Sequence, residues 1–245
     1  MLLDPKDEME FRRNQGIEGL GGYDAVILRL GMSLERLPNF HPSKPEVYGL
    51  ESLSGWKIYK GVKKGKEILF VSTMVGASAA SLGIEMYLCH SPANEGIGVG
   101  YCGALQPEIE IGRIIIPDKA RIGEGASKYY GKGEISTPDQ DLVRKLVDVT
   151  QRFGYEPLVG ELYSIDAPLM ETPDFIEKLA RQGILGIDME TSALFSIAEY
   201  HAKRAAAIMV VSDKPHRGPA YGSTFQAIEG ITEDVIKICI EALAE

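Results

Sequence analysis

Short apolar runs alternate along this chain with amphipathic stretches of helical spacing. Residues 23–30 are mostly apolar and closed by Gly31, which predicts a buried strand. Residues 56–59 and 67–72 read as two strands joined by the turn Lys63-Lys64-Gly65-Lys66. Residues 77–89 place Ala80, Ile84, Tyr87 and Leu88 at helical spacing, and short strands follow at 98–101 and 113–116. Residues 139–153 carry Leu142, Leu146 and Val149 on one helical face, with Thr137 as N-cap and Pro138 as the first helical residue. A strand (158–165), a helix (173–181), a strand (185–188), a helix (190–201), a strand (205–211) and a closing helix (225–243) complete the pattern. Residues 33–53 hold three prolines and no clean period, so they read as a loop with room for one short helix. Residues 1–22 read as a polar N-terminal arm suited to crossing onto a partner subunit. This alternation predicts an α/β fold: a three-layer α/β/α sandwich around a central twisted mixed sheet, forming one domain over 1–245.

Composition narrows the class. A chain of 245 residues with 44% hydrophobic and 25% charged residues can bury one good core. A net charge of −9 argues against nucleic acid and anionic membranes as partners. No apolar run approaches the roughly 18 residues that span a bilayer. The N-terminus has no signal-peptide core, and three scattered cysteines, Cys89, Cys102 and Cys239, suit a reducing cytoplasm. No His/Cys cluster has metal-ligand spacing, so no metal is expected, and His41, His90 and His201 read as structural.

The densest chemistry lies in Gly183-Ile184-Leu185-Gly186-Ile187-Asp188-Met189-Glu190-Thr191-Ser192-Ala193. It reads as a strand ending in carboxylates and running straight into a helix. Ser212-Asp213 then ends the following strand, with Asp213 23 residues beyond Glu190. Asp188, Glu190 and Asp213 therefore gather near the carboxyl ends of neighbouring strands, where open α/β sheets bind ligands. Carboxylates accept hydroxyl protons and the Met189 thioether packs on an apolar face, so the group suits a sugar. Each acid also has an ordinary role: Glu190 opens a helix, Asp213 precedes a Lys214-Pro215 turn, and Asp188 can hold backbone amides. Gly98-Val99-Gly100-Tyr101-Cys102-Gly103 is no dinucleotide fingerprint, because it does not open a helix. Its glycines instead let a strand bulge beside a ligand.

Three blocks carry a family resemblance: Met189-Glu190 with Ser212-Asp213, then Val99-Gly100-Tyr101-Cys102-Gly103-Ala104-Leu105, and Ile111-Gly112-Arg113-Ile114-Ile115-Ile116-Pro117 running into Gly123-Glu124-Gly125-Ala126-Ser127-Lys128-Tyr129-Tyr130. Over residues 24–240 the chain resembles the nucleoside phosphorylase and nucleosidase superfamily. The resemblance implies a phosphorylase/hydrolase-like sandwich that cleaves the N-glycosidic bond of a nucleoside. It also implies a cytoplasmic homo-oligomer, from dimer to hexamer, and no cofactor, with phosphate as co-substrate. Glu190 is expected on the ribose hydroxyls, Met189 beneath the sugar and Asp188 in support. Asp213 is expected as general acid at a purine N7, with its pKa raised above the usual value of about 3.9. Tyr101, Cys102, Gly103, Pro168 and Leu169 are expected along the base. The Gln and Arg that read uracil in uridine phosphorylases have no counterpart in 166–175, which favours purine.

The chain also departs from the family. Where members carry an Arg it has Gly98, and Tyr101 replaces a Ser or Thr. The first-loop Arg falls on Glu35 or Arg36, depending on register. Two activities stay open. One is phosphorolysis with an anion site built from Arg29, Arg36 and the Thr73–Gly76 loop before a helix. The other is hydrolysis with Glu35 activating water. A relative that binds a nucleoside without turnover is a third reading.

Overall fold

A computed structural model describes residues 22–31, 48–51, 57–215, 224 and 227–245. The strands are β1 (Ala25–Arg29), β2 (Tyr48–Glu51), β3 (Lys57–Lys63), β4 (Lys66–Ser72), β5 (Glu95–Ala104), β6 (Ile114–Gly123), β7 (Ile135–Ser136), β8 (Leu158–Ile165), β9 (Gly186–Asp188) and β10 (Arg204–Asp213). The helices are α1 (Ala77–Ile84), α2 (Gln140–Arg152), α3 (Pro173–Arg181), α4 (Thr191–Tyr200) and α5 (Glu229–Ala244).

All ten strands join one mixed sheet. One wing runs β1, β4, β3, β2, parallel between β1 and β4 and antiparallel beyond. At the other side β5 pairs in parallel with β1 and with β10, and its carboxyl end pairs antiparallel with β9. The path β10–β6–β8–β9 then returns to β5, so five strands close on themselves while the wing stays open. Helices cover both faces. Val26, Leu28 and Leu30 pack with α1 and α4, whereas Ala25 and Ile27 pack with α2 and α5. That split follows from the two-residue alternation of a strand, and it produces the three layers. A smaller core under α3 holds Leu105, Ile165, Ile176, Leu179, Ile184 and Ile187.

Several boundaries differ from expectation. Residues 48–51, read as loop, form the edge strand β2 on β3. The helix expected over 77–89 is α-helical only to Ile84; Glu85–Cys89 then widens into a π segment, closed by His90 N–H donating to Glu85 C=O at 2.7 Å. Strands β5 and β6 are each ten residues long, well beyond the short runs read from sequence. The N-cap of α2 is Asp139, not Thr137: its carboxylate accepts from Leu142 N–H at 2.9 Å while Arg204 holds the same carboxylate. Helix α5 starts at Glu229 rather than 225.

Candidate active site

The sheet closure gathers the acids. At its carboxyl end β5 has two neighbours at one residue: Gly103 is paired with Ile187 of β9 and with Asp213 of β10. A register shift between Val211 and Asp213 produces the second pairing. Adjacent strands lie about 4.8 Å apart, so Asp188 and Asp213 flank the same short stretch of β5. The Cys102 thiol lies in the fields of both: burial pushes its pKa well up, and Asp188 and then Asp213 push it further.

Asp188 is 5% exposed and held by a ring of donors. Ser164 Oγ donates to Oδ1 at 2.5 Å, and the N–H groups of Glu190 and Thr191 donate to Oδ2 at 3.2 and 2.7 Å. It thus caps the start of α4, where the helix dipole also favours negative charge. Burial raises its pKa and these hydrogen bonds pull it back. Glu190, 4% exposed, accepts from Gly76 N–H at 2.6 Å. Burial first, and the Asp188 charge second, push its pKa up to about 8. Because the donors concentrate on Asp188, the pair keeps its negative charge there and a proton on Glu190.

Glycine makes room for this arrangement. A Cβ on Gly31, at φ +72°, would stand 3.1 Å from Glu190 Oε1. Gly76, at φ +90°, turns its N–H onto the same carboxyl group, with the Met189 methyl 4.0 Å from where a Cβ would be. Side chains are strained at such φ values.

Asp213 sits 7% exposed at the end of β10, accepting from Ser212 Oγ at 2.8 Å, and burial raises its pKa. Its Oδ2 would be 3.3 Å from a Cβ on Gly103. Glu171, just after the short turn Pro168–Met170, is pushed up to about 7 by burial and then by the Asp213 charge. The neighbouring Lys214 is turned away, to Pro107 C=O at 2.9 Å and Glu110 at 2.8 Å. Asp188 and Glu190 lie on one side of β5 and Asp213 and Glu171 on the other, and burial raises the pKa of all four. That is the equipment for stabilising a cationic sugar and protonating a leaving group.

The chain belongs to the phosphorylase superfamily, whose family model matches residues 25–245. It is an enzyme of the nucleoside-phosphorylase, pentosyl-transferring type. The purine nucleoside phosphorylase DeoD-type of Roseobacter denitrificans is 30% identical over 186 residues, covering 75% of this chain and 79% of that one. The Bacillus subtilis protein of the same name is 25% identical over 189 residues, covering 76% and 80%. A crystal structure of uridine phosphorylase from Vibrio fischeri superposes with a TM-score of 0.79 at 25% identity, covering 91% and 93%.

The structure brings together Asp188, Met189, Glu190, Cys102, Gly103 and Asp213. It places the other candidates elsewhere. Tyr101, read as base pocket, points from the opposite face of β5: its ring packs with the α2/α5 core, and its hydroxyl meets Thr232 Oγ1 at 3.0 Å and Arg29 Nη2 at 3.3 Å. Leu169 is 98% exposed, so its side chain lines no described pocket; Pro168 beside it is half-buried. The Thr73 and Gly76 amides, read as anion donors, already have acceptors: Thr73 N–H donates to Arg29 C=O at 2.8 Å, and Gly76 N–H serves Glu190. The acceptor this loop serves is the protein's own Glu190 carboxyl group. Glu35 and Arg36 lie outside the described residues.

Arg29 behaves unlike a surface ion-pair residue. It is 5% exposed, its guanidinium carbon lies 5.7 Å from the Tyr101 ring centre, and burial lowers its pKa. Its Nε and Nη1 have no hydrogen-bond partner among the described residues. Gly98 also finds a reason: a Cβ there would stand 2.6 Å from Leu194 Cδ2 and 2.8 Å from Leu30 Cδ1. Core packing against α4 has removed the room for an arginine.

Sequence reasoning missed Ser164, Glu124 and Glu171. Glu124, 2% exposed, accepts from Ser192 Oγ at 2.9 Å and so ties the first turn of α4 to the end of β6. The signal for Ser164 was a polar residue at a core-facing position of β8, in step with Leu162. Glu171 carried no local signal, since its partner Asp213 is remote in sequence.

Proposed function

We propose that this enzyme cleaves purine nucleosides by phosphorolysis, giving free base and ribose 1-phosphate. The observation that carries the reading is the Asp213 carboxyl group, 7% exposed at the end of β10 beside Gly103, where burial raises its pKa. A purine offers N7 to its proton, and uracil has no equivalent atom. The C1′–N9 electrons pass to the base as the bond breaks, and Asp213 gives its proton to N7. A phosphate oxygen then bonds to C1′, and the proton that phosphate sheds restores Asp213. Glu190 takes the ribose hydroxyls over Met189, and the net negative charge of the Asp188–Glu190 pair favours positive charge on the ribose.

The match to the phosphorylase superfamily and to purine nucleoside phosphorylases supports phosphate rather than water as acceptor. Arg29 does not build its site, because the guanidinium lies beside Tyr101 on the opposite face of the sheet. Phosphate, nucleoside and a cytoplasmic homo-oligomer complete the proposal, with no other cofactor taking part in this reaction. No helix among the described residues is long and apolar enough to cross a membrane.

The test is product analysis with inosine, adenosine and uridine, with and without phosphate. Ribose 1-phosphate from the purine nucleosides alone supports the reading; free ribose formed without phosphate overturns it in favour of hydrolysis.

A further inference from the structure

At the far end of α4 lies a group of side chains that the glycosidic chemistry does not use. Glu85, His90 and His201 bring their ligand atoms within 4.8 Å of one another. His201 closes α4, and Glu85 and His90 bracket the π segment. Helix α4 rises about 1.5 Å per residue, so His201 lies about 16 Å along it from Glu190. This cluster is therefore separate from the candidate active site.

The contacts within it are close but are not hydrogen bonds. Glu85 Oε2 approaches His201 Nε2 at 2.8 Å and His90 Nε2 at 3.0 Å. Yet Glu85 Oε2 and His201 Nε2 are both buried without a hydrogen-bond partner among the described residues. The His201 side chain is only 8% exposed. Both approaches are at ion-pair distance, with charge on the imidazole only where it is protonated. With neutral imidazoles, the same three atoms are free to share a cation.

The surroundings hold the three groups still. Tyr130 O–H donates to Glu85 Oε1 at 2.8 Å, leaving Oε2 as the inner atom. The His90 and His201 rings meet edge to face at 5.1 Å, and Tyr200 meets His201 at the same distance. The π segment is what brings Glu85 and His90 to one side; in a regular α-helix residues five apart point away from each other.

We propose that Glu85, His90 and His201 form a divalent-metal site of the zinc type. Two imidazole nitrogens and one carboxylate oxygen suit zinc, with water as fourth ligand. Tetrahedral ligands about 2.0–2.2 Å from zinc lie about 3.3–3.6 Å apart. The contacts of 2.8 and 3.0 Å therefore need to open by less than about 1 Å. The Tyr130–Glu85 hydrogen bond is the outer support that fixes a ligating carboxylate. The ion would tie the end of α4 to the π segment, just ahead of β5 and β10. Its role is structural, and it rests on no assumption about the nucleoside reaction.

The experiment is titration of the chelator-stripped full chain with Co²⁺ and then Zn²⁺. The expected result is one saturable site per chain, with the visible absorption of four-coordinate Co²⁺, bleached when Zn²⁺ displaces it. Glu85→Gln and His201→Gln should abolish that band, and Tyr130→Phe should weaken binding about 10- to 100-fold. Circular dichroism of each variant checks that it is folded. If a variant does not fold, the wild-type titration and Tyr130→Phe decide. No saturable Co²⁺ or Zn²⁺ binding by the wild type overturns the proposal, as does unaltered binding by folded Glu85→Gln and His201→Gln.

Discussion

The two ends of α4 solve opposite problems. At its start, Asp188 and Glu190 are buried acids, and the fold gives them donors: Ser164, the first amides of the helix, and Gly76. At its end, Glu85 Oε2 and His201 Nε2 are buried at close range with no hydrogen bond between them. One end stores a proton inside a completed network. The other gathers three potential ligand atoms within 4.8 Å of one another. The comparison teaches that burial alone does not mark function: the informative sign is whether the buried atom's directions are already satisfied.

The largest expected effect separates the two ends by chemistry. Asp213→Asn should lower kcat/KM for a purine nucleoside about 10²- to 10⁴-fold, the range for loss of a general acid, with Co²⁺ binding unchanged. Metal binding lost in that variant would merge two regions that are separate here. Glu190→Gln comes next, with kcat/KM down about 10- to 100-fold for the loss of a charged hydrogen bond. A steady-state assay at saturating phosphate measures both.

Gly98→Ala probes the packing between the ends. The new methyl group would meet Leu194 and Leu30 at under 3 Å, and overpacking of this kind costs about 1–3 kcal/mol. Urea unfolding reads it directly; an unchanged midpoint would show that α4 yields easily.

The last test is a slope. Glu190 is raised in the folded state from the ordinary glutamate value of 4.5 to about 8. Its contribution to stability is present below pH 4.5 and is lost as pH rises through 8. Thermal melts of the wild type should therefore decline across that window more steeply than those of Glu190→Gln. Parallel curves would place the proton elsewhere.

Much of this was legible in the sequence, for identifiable reasons. Leu142, Leu146 and Val149 announced α2 because one face of it is buried. Asp188 and Asp213 stood out because each ends an apolar strand, and Glu190 because it opens the helix just after Asp188. Tyr101 was misplaced although alternation held the answer: it shares a face with Ile97 and Val99, opposite Cys102. The Gly98 steric limit was hidden, because it depends on Leu194, which is remote in sequence. The histidine cluster was hidden for the same reason. Its Glu85–His90 spacing matches no familiar metal pattern, since the π segment, not an α-helix, makes those residues neighbours.

The central claim is that Asp213 delivers the proton that lets a purine depart while phosphate captures the sugar. The most direct measurement follows inosine turnover with phosphate by wild type and Asp213→Asn, detecting ribose 1-phosphate. The account predicts stoichiometric ribose 1-phosphate from the wild type and at least a hundredfold slower release from the variant, about the lower bound for a lost general acid. Equal rates in a folded variant, or free ribose as the product, would contradict it.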